Sequence, residues 1–245
     1  MKIKVIFLSV LIFFLASFFS FGYKYEKTIK KSFKAGNNFK FEIKNCNGNI
    51  KVETYDGDTI YIKAEKYSNK NNSFEKTKIL FEEGKNSLRI RVKRPGRNCK
   101  ASVKFYLRLP QNISYSEIET INGSLRITGK VKDIIVETVN GKISLEGMCG
   151  DAKLRTVNGS IQLYLKEKIH GDINVKTVNG SIKVELDDDS SFNLNAKTIN
   201  GSIKSDFNLY MTKKFIGSKM DGTINKGEFD IKLNTVNGSI KILKN

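Results

Sequence analysis

Seven cationic residues crowd one short stretch, Arg89, Arg91, Lys93, Arg94, Arg97, Lys100 and Lys104. Such a cluster does one kind of chemistry well, the binding of anions, because arginine forks match phosphate and carboxylate oxygens two at a time while lysines add point charge. The outward positions of two adjoining strands in a basic chain would give the same list, so the cluster is a candidate anion site whose geometry decides its value. Other chemistries have less to work with. Asp187, Asp188 and Asp189 form the only compact acidic run, but its spacing matches no EF-hand loop and reads as a solvated turn. The sole histidine, His170, stands in a Lys-Ile-His-Gly turn without a nucleophile phrase, a zinc-ligand pattern or a phosphate-cradling glycine loop beside it. The expectation is therefore a non-enzymatic chain with no catalytic residue, no metal and no cofactor.

Three cysteines, Cys46, Cys99 and Cys149, are scattered along the chain. Cys46 and Cys99 lie in the same N-terminal region and are the candidate disulfide, whose closure of a long loop would contribute about 2–4 kcal/mol. Cys149, in Gly147-Met148-Cys149-Gly150, is left as a loop thiol.

The elements that must position these groups are announced by a recurring phrase, Thr-(Val/Ile)-Asn-Gly-(Ser/Lys)-(Ile/Leu). Its threonines are Thr120, Thr138, Thr156, Thr177, Thr198 and Thr235, and its asparagines Asn122, Asn140, Asn158, Asn179, Asn200 and Asn237. Successive asparagines are 18, 18, 21, 21 and 37 residues apart, and Asp221-Gly222-Thr223-Ile224 falls 21 residues after Asn200 as a degenerate seventh copy. A fixed period near 20 residues marks a solenoid, in which each unit buries its apolar face against its neighbours. Around each Asn-Gly the pattern alternates with period two, as in Ile134, Val136, Thr138 and Asn140 followed by Ile143 and Leu145, which is strand periodicity.

The reading is all-β: a parallel β-solenoid, a single-stranded β-helix-like stack of about seven 18–21-residue repeats, with Asn above Asn and Thr above Thr and the asparagine amides bonded inside the stack. Seven rungs at about 4.8 Å would span roughly 30 Å. The alternative is an antiparallel meander, since Asn-Gly between alternating runs also signals a hairpin. Residues 111–245 carry the repeats, and residues 23–110, where Asn47-Gly48-Asn49-Ile50 echoes the phrase, form an N-terminal β-module continuous with them. In that module Lys66 to Lys78 reads as a long exposed loop.

Residues 1–22 read as a signal peptide or N-terminal anchor, with Lys2 and Lys4 ahead of an apolar run and small residues at Ser20-Phe21-Gly22. No second long apolar stretch follows, so no transmembrane segment is expected beyond this one, and the expected location is exported: periplasm, cell surface or secreted. The whole chain carries 43 basic and 25 acidic residues for a net charge of +18; loss of Lys2 and Lys4 would lower it to +16. Such charge suits an acidic polysaccharide or an anionic lipid surface, and export argues against nucleic acid.

Leu109-Pro110, the alternating strands and the repeated Thr-(Val/Ile)-Asn-Gly-Ser-Ile units resemble the bacterial putative-adhesin β-strand-repeat family of unknown function, also called the toastrack domain. The resemblance runs from about Phe33 to Lys244. It implies an exported or surface β-repeat protein, sometimes linked with envelope stress systems, and carries over no catalytic residues. Two functions follow as expectations: a binding or adhesion module for acidic envelope polymers, or an envelope scaffold or stress-sensing accessory that docks a protein partner.

Overall fold

The computed structural model describes residues 23–94, 96, 100–147, 150–213 and 217–245. The expected signal segment, Arg97, Cys99 and Cys149 lie outside them. The chain is a parallel β-solenoid. Each rung is a strand leading into an Asn-Gly corner and a strand leaving it, as in Asp133–Asn140 followed by Ile143–Glu146. The strands before the corners stack into an eleven-stranded leading sheet and those after the corners into a ten-stranded trailing sheet.

The period-two pattern does what strand geometry requires. Ile134 stacks on Ala152, Ile173, Ile231 and Leu194, while Val136 stacks on Leu154, Val175, Leu233 and Ala196. Across the interior Ile143, Ile161, Ile182, Ile240 and Ile203 form the facing column. All are buried, and each such aliphatic chain contributes roughly 1.5–3 kcal/mol by leaving water.

The corner is where the repeated phrase acts. A Cβ on Gly141 would lie 2.0 Å from the carbonyl oxygen of Gly123, one on Gly159 2.0 Å from that of Gly141, and one on Gly180 1.9 Å from that of Gly159. These glycines are not at positive φ. They are glycine because backbone stacks directly on backbone with no room for a side chain, which is also why the hairpin alternative fails. The threonine two residues before each corner asparagine caps the carbonyl thus exposed: Thr138, Thr156 and Thr177 donate to the oxygens of Gly123, Gly141 and Gly159 at 3.1, 3.2 and 3.0 Å. These threonines are buried at 4–5 % exposure, so the bond satisfies a hydroxyl that would otherwise be costly inside.

The asparagine ladder forms, but on the outside. Asn140, Asn158, Asn179, Asn237 and Asn200 each donate a side-chain N–H to the amide oxygen of the neighbouring rung's asparagine at 2.7–2.8 Å, and all five are exposed. Alternation had placed them inward with the threonines. The backbone bends at the corner, so threonine is the last inward residue and the next two both face solvent.

Chain order and spatial order agree only in the middle of the stack. The rung of Asn237 (Phe229–Asn237 and Ile240–Lys244) lies between the rungs of Asn179 and Asn200, although it comes last in sequence. The Asp221-Gly222 copy is not a rung. Ser218–Ile224 instead runs antiparallel to Phe192–Asn200 and hairpins with Tyr210–Lys213. It carries Lys219 where the phrase has threonine and Asp221 where it has asparagine, so it offers neither the carbonyl cap nor the amide donor.

The seventh Asn-Gly rung is that of Asn47, built from Lys40–Lys44 and Ile50–Tyr55, which pairs directly with the rung of Asn122. Beyond it Ser87–Lys93 and Ser102–Pro110 continue both sheets, and Thr59–Ser68, Lys78–Gly84 and Tyr25–Lys34 close this end in antiparallel pairing. Here too the later segment, Ser87–Pro110, is inserted inside the earlier one. Lys66 to Lys78 is not a long exposed loop: Thr59–Ser68 extends into it, a short helix spans Asn71–Lys76, and Lys66, Ser73 and Thr77 are buried. The Lys66 ammonium donates to the carbonyls of Phe74 and Thr77 at 2.8 and 3.1 Å, which is how a lysine is tolerated there.

Replacing Gly159 by Ala should destabilise the fold by about 3 kcal/mol or more, since two backbones must part to admit the methyl. Gly36→Ala, where the added methyl meets nothing within 4 Å, should be nearly neutral, and Thr177→Val should cost about 1–2 kcal/mol by uncapping the Gly159 carbonyl. Urea denaturation of the three variants checks the order.

Candidate binding surface

Two outer surfaces are built by the stacking, and a third was expected. The first lies along the corners. The residue between threonine and asparagine is always Val or Ile, and the bend turns it outward. Ile121, Val139, Val157, Val178 and Ile199 are 39–50 % exposed, an unusual setting for a whole column of aliphatic side chains. With Val236 they floor a groove of about 1020 Å³ that runs along the stack and is closed at one end by Gly217, Ser218 and Lys219. The wall is a column two residues upstream: Glu119, Glu137, Arg155, Lys176, Asn234 and Lys197 in spatial order. Its acidic end is neutralised within the chain. Lys44 Nζ lies 3.1 Å from both Glu117 and Glu119, and Lys153 lies 3.5 Å from Glu137. Burial pushes the Glu119 carboxyl up, a hydrogen bond with Glu119 holds Glu117 low, and Lys44 is raised by its own bond to Glu117. At the other end Lys219 is paired with Asp221 at 2.8 Å, while Lys176 and Lys197 form no salt bridge among the described residues. The groove thus turns from neutralised to cationic along its length.

The second surface is the outer face of the trailing sheet near its N-terminal end. Strand register aligns Lys30, Lys63, Tyr106, Lys51 and Arg126 in one row across five strands, and Ser32, Tyr61, Arg108, Glu53 and Thr128 in the next. Tyr61 and Tyr106 are 46 % and 37 % exposed. The Lys63 and Lys51 ammonium groups, from the two strands that flank Tyr106, lie 5.3 and 5.8 Å from its ring centre, and Arg108 lies 4.8 Å from the ring of Tyr55. Lys63 is also bonded to Glu65 at 2.6 Å, which raises its pKa. The two rows line a concavity of about 1120 Å³, where aromatic rings beside cations offer a stacking surface with fixed positive charge.

The expected anion cluster is divided between sheets. Arg89, Arg91 and Lys93 belong to Ser87–Lys93 in the leading sheet, whereas Lys104 belongs to Ser102–Pro110 in the trailing sheet. Arg89 is bonded to Glu42 and Arg91 to Glu82, so both guanidinium groups are already engaged with carboxylates. Arg94 is half-buried, Lys100 is exposed, and Lys104 lies 5.0 Å from the Tyr67 ring centre. Cys46 is half-buried, and its expected partner Cys99 is outside the described residues. Asp187, Asp188 and Asp189 stay a turn: Asp188 pairs with Lys244 and Asp189 with Lys168, and no metal-binding group of three acidic, histidine or cysteine residues occurs among the described residues.

Sequence reasoning missed both surfaces for the same reason. A row that crosses strands joins residues distant in sequence, such as Lys30 and Arg126, and needs the register to be seen. The groove left a signal, an invariably aliphatic residue at an outward parity within the repeated phrase.

The family described as Toastrack DUF4097 matches residues 12–243. The chain belongs to the toastrack family. Among solved structures, this toastrack chain is similar to a putative cell adhesion protein from Clostridium sporogenes, at 13 % identity and a TM-score of 0.51 over 90 % of this chain and 100 % of that one. A putative adhesin from Bacteroides fragilis shares 13 % identity over 89 % of this chain and 97 % of its own, with a TM-score of 0.39. The first likeness shows a shared fold. No curated protein matches the chain. No helix among the described residues is long and apolar enough to cross a membrane.

Asn158→Asp tests the outer ladder of this toastrack rod. The ionised carboxylate cannot donate to Asn140 and should cost about 1–2 kcal/mol near neutral pH. A protonated acid can donate again, so the folded-state pKa of the new carboxyl should be raised and the loss should shrink as pH falls through it. Melting curves of wild type and variant across the acidic range check this.

Proposed function

We propose that this toastrack protein is a non-enzymatic binding module of the cell envelope or cell surface that holds acidic polymers against the outer face of its trailing sheet. The observation that carries the reading is the cross-strand row Lys30, Lys63, Tyr106, Lys51 and Arg126. Its four cations form two pairs on adjacent strands, Lys30 with Lys63 and Lys51 with Arg126, each pair one strand separation (about 4.8 Å) apart and the two pairs divided by Tyr106, an arrangement suited to a chain polymer with repeated carboxylate or phosphate groups. The exposed Tyr61 and Tyr106 rings supply flat apolar area for sugar rings. Long-range attraction from the net charge of +18 would speed the encounter, and the register would set its geometry. The name of the similar Clostridium sporogenes structure, a putative cell adhesion protein, agrees with a surface-binding role.

The exposed aliphatic column from Ile121 to Ile199 favours a second reading, an envelope scaffold whose groove docks a protein partner. Salt separates the two, since charge-driven binding is screened and apolar docking is not.

Calorimetric titration of the purified chain with a linear polyuronate, against neutral dextran, tests the first reading. Binding should be confined to the polyuronate and weaken steeply with salt. Lys63→Gln with Arg126→Gln should lower affinity about tenfold, as expected for two exposed charge contacts, while leaving the melting temperature unchanged. Equal binding of dextran, or an affinity indifferent to both salt and these substitutions, would overturn the assignment to this face.

A further inference from the structure

The chain contains seven Asn-Gly pairs, and the stack treats six of them alike. Gly48, Gly123, Gly141, Gly159, Gly180 and Gly238 each donate their backbone N–H to the asparagine carbonyl of the next rung at 2.8–3.0 Å. The asparagine side chains are tied in the same direction: the amide oxygens of Asn122, Asn140, Asn158, Asn179 and Asn237 each accept from the rung that follows in space. The rung of Asn200 is the last of the ladder. Asn200 Nδ2 donates to Asn237 at 2.7 Å, but among the described residues neither its own amide oxygen nor the Gly201 N–H has a partner. Both residues are exposed.

This asymmetry bears on an intrinsic reaction of Asn-Gly. The following backbone nitrogen attacks the asparagine Cγ and loses its proton to solvent, forming an N–Cγ bond. The Cγ–Nδ2 bond breaks and ammonia leaves, giving a five-membered succinimide. Water then adds to one of the two ring carbonyls, opening the ring to aspartate or to isoaspartate, in which the main chain runs through Cγ. The attack needs a free nitrogen and a side chain able to swing over it. Six pairs lack the free nitrogen, and five of these also the free side chain, until neighbouring rungs separate, and interior rungs open only at a large fraction of the global unfolding free energy.

We propose that Asn200-Gly201 is a self-modification site, a terminal pair that deamidates in the folded protein while the other six are protected by the stack. The product would change this end of the rod. A carboxylate at position 200 cannot donate to Asn237, and an isoaspartyl linkage lengthens the backbone where Gly238 N–H meets the Asn200 carbonyl at 3.0 Å. The strand that follows is only Ile203–Ser205, paired on one side to Ile240–Lys244. Its release would uncover that strand's edge, a free template for another strand.

Residues 177–183 and 198–204 make the test internally controlled. Cleavage after lysine yields peptides that differ only in Val178 against Ile199, so their inherent reactivity is the same. The folded chain is aged in mildly alkaline buffer, digested, and each Asn-Gly peptide is followed by mass spectrometry, with isoaspartyl methyltransferase labelling for the β-linked product. Asn200 should react at least about tenfold faster than Asn179 in the folded chain, and the two should react at equal rates in concentrated urea. Equal rates in the folded chain, faster reaction at any of the other six pairs, or the same bias persisting in urea would overturn the proposal.

Discussion

Backbone stacked directly on backbone at the Asn-Gly corners is the contact on which the rest of this molecule depends. A carbonyl oxygen sits where a Cβ would be, about 2 Å from the ideal position at most corner glycines, so these positions exclude every residue but glycine without appeal to left-handed φ. Close approach then exposes carbonyls to the interior, which makes a buried hydroxyl at the threonine position necessary. The same approach brings asparagine amides of adjacent rungs to 2.7–2.8 Å. The three residue types of the phrase are one device, and it fixes the register in which the aliphatic columns pack. Register in turn decides which charges meet on the outer faces.

Much of the architecture was legible because it is periodic. Repeat length gave the rung and alternation gave the strands. Legibility failed where geometry departs from periodicity. Alternation carried Asn140 inward with Thr138, whereas the bend at the corner releases it and Val139 to solvent. Spacing alone made Asp221-Gly222 a rung, though Lys219 and Asp221 lack the groups that stack. The inserted position of the Asn237 rung leaves no trace in local sequence, because its corner phrase is the same as those of its neighbours.

Charge shows the same limit. A linear reading groups Arg89 to Lys104 because they are near in sequence, but the sheet alternation of the solenoid sends them to opposite sides. Glu42 and Glu82 then engage two of the cluster's arginines, Arg89 and Arg91. The surviving cationic row draws one residue from each of five strands between Lys30 and Arg126, a pattern that only the strand register assembles. Electrostatic surfaces on stacked folds are products of register before they are products of composition.

Insertion of a late segment inside an earlier one at both ends has an evolutionary consequence. A duplicated repeat added at either end would have to break an existing pairing, either that of Ser87–Lys93 with Lys40–Lys44 or that of Phe229–Asn237 with Phe192–Asn200. Between Tyr115 and Leu186, by contrast, consecutive rungs pair with one another, and one more copy would pair with the two rungs that flank it in the chain, leaving chain order and spatial order in agreement. Rods of this design should therefore differ in length by gains and losses in their middle, with their two terminal arrangements carried along unchanged.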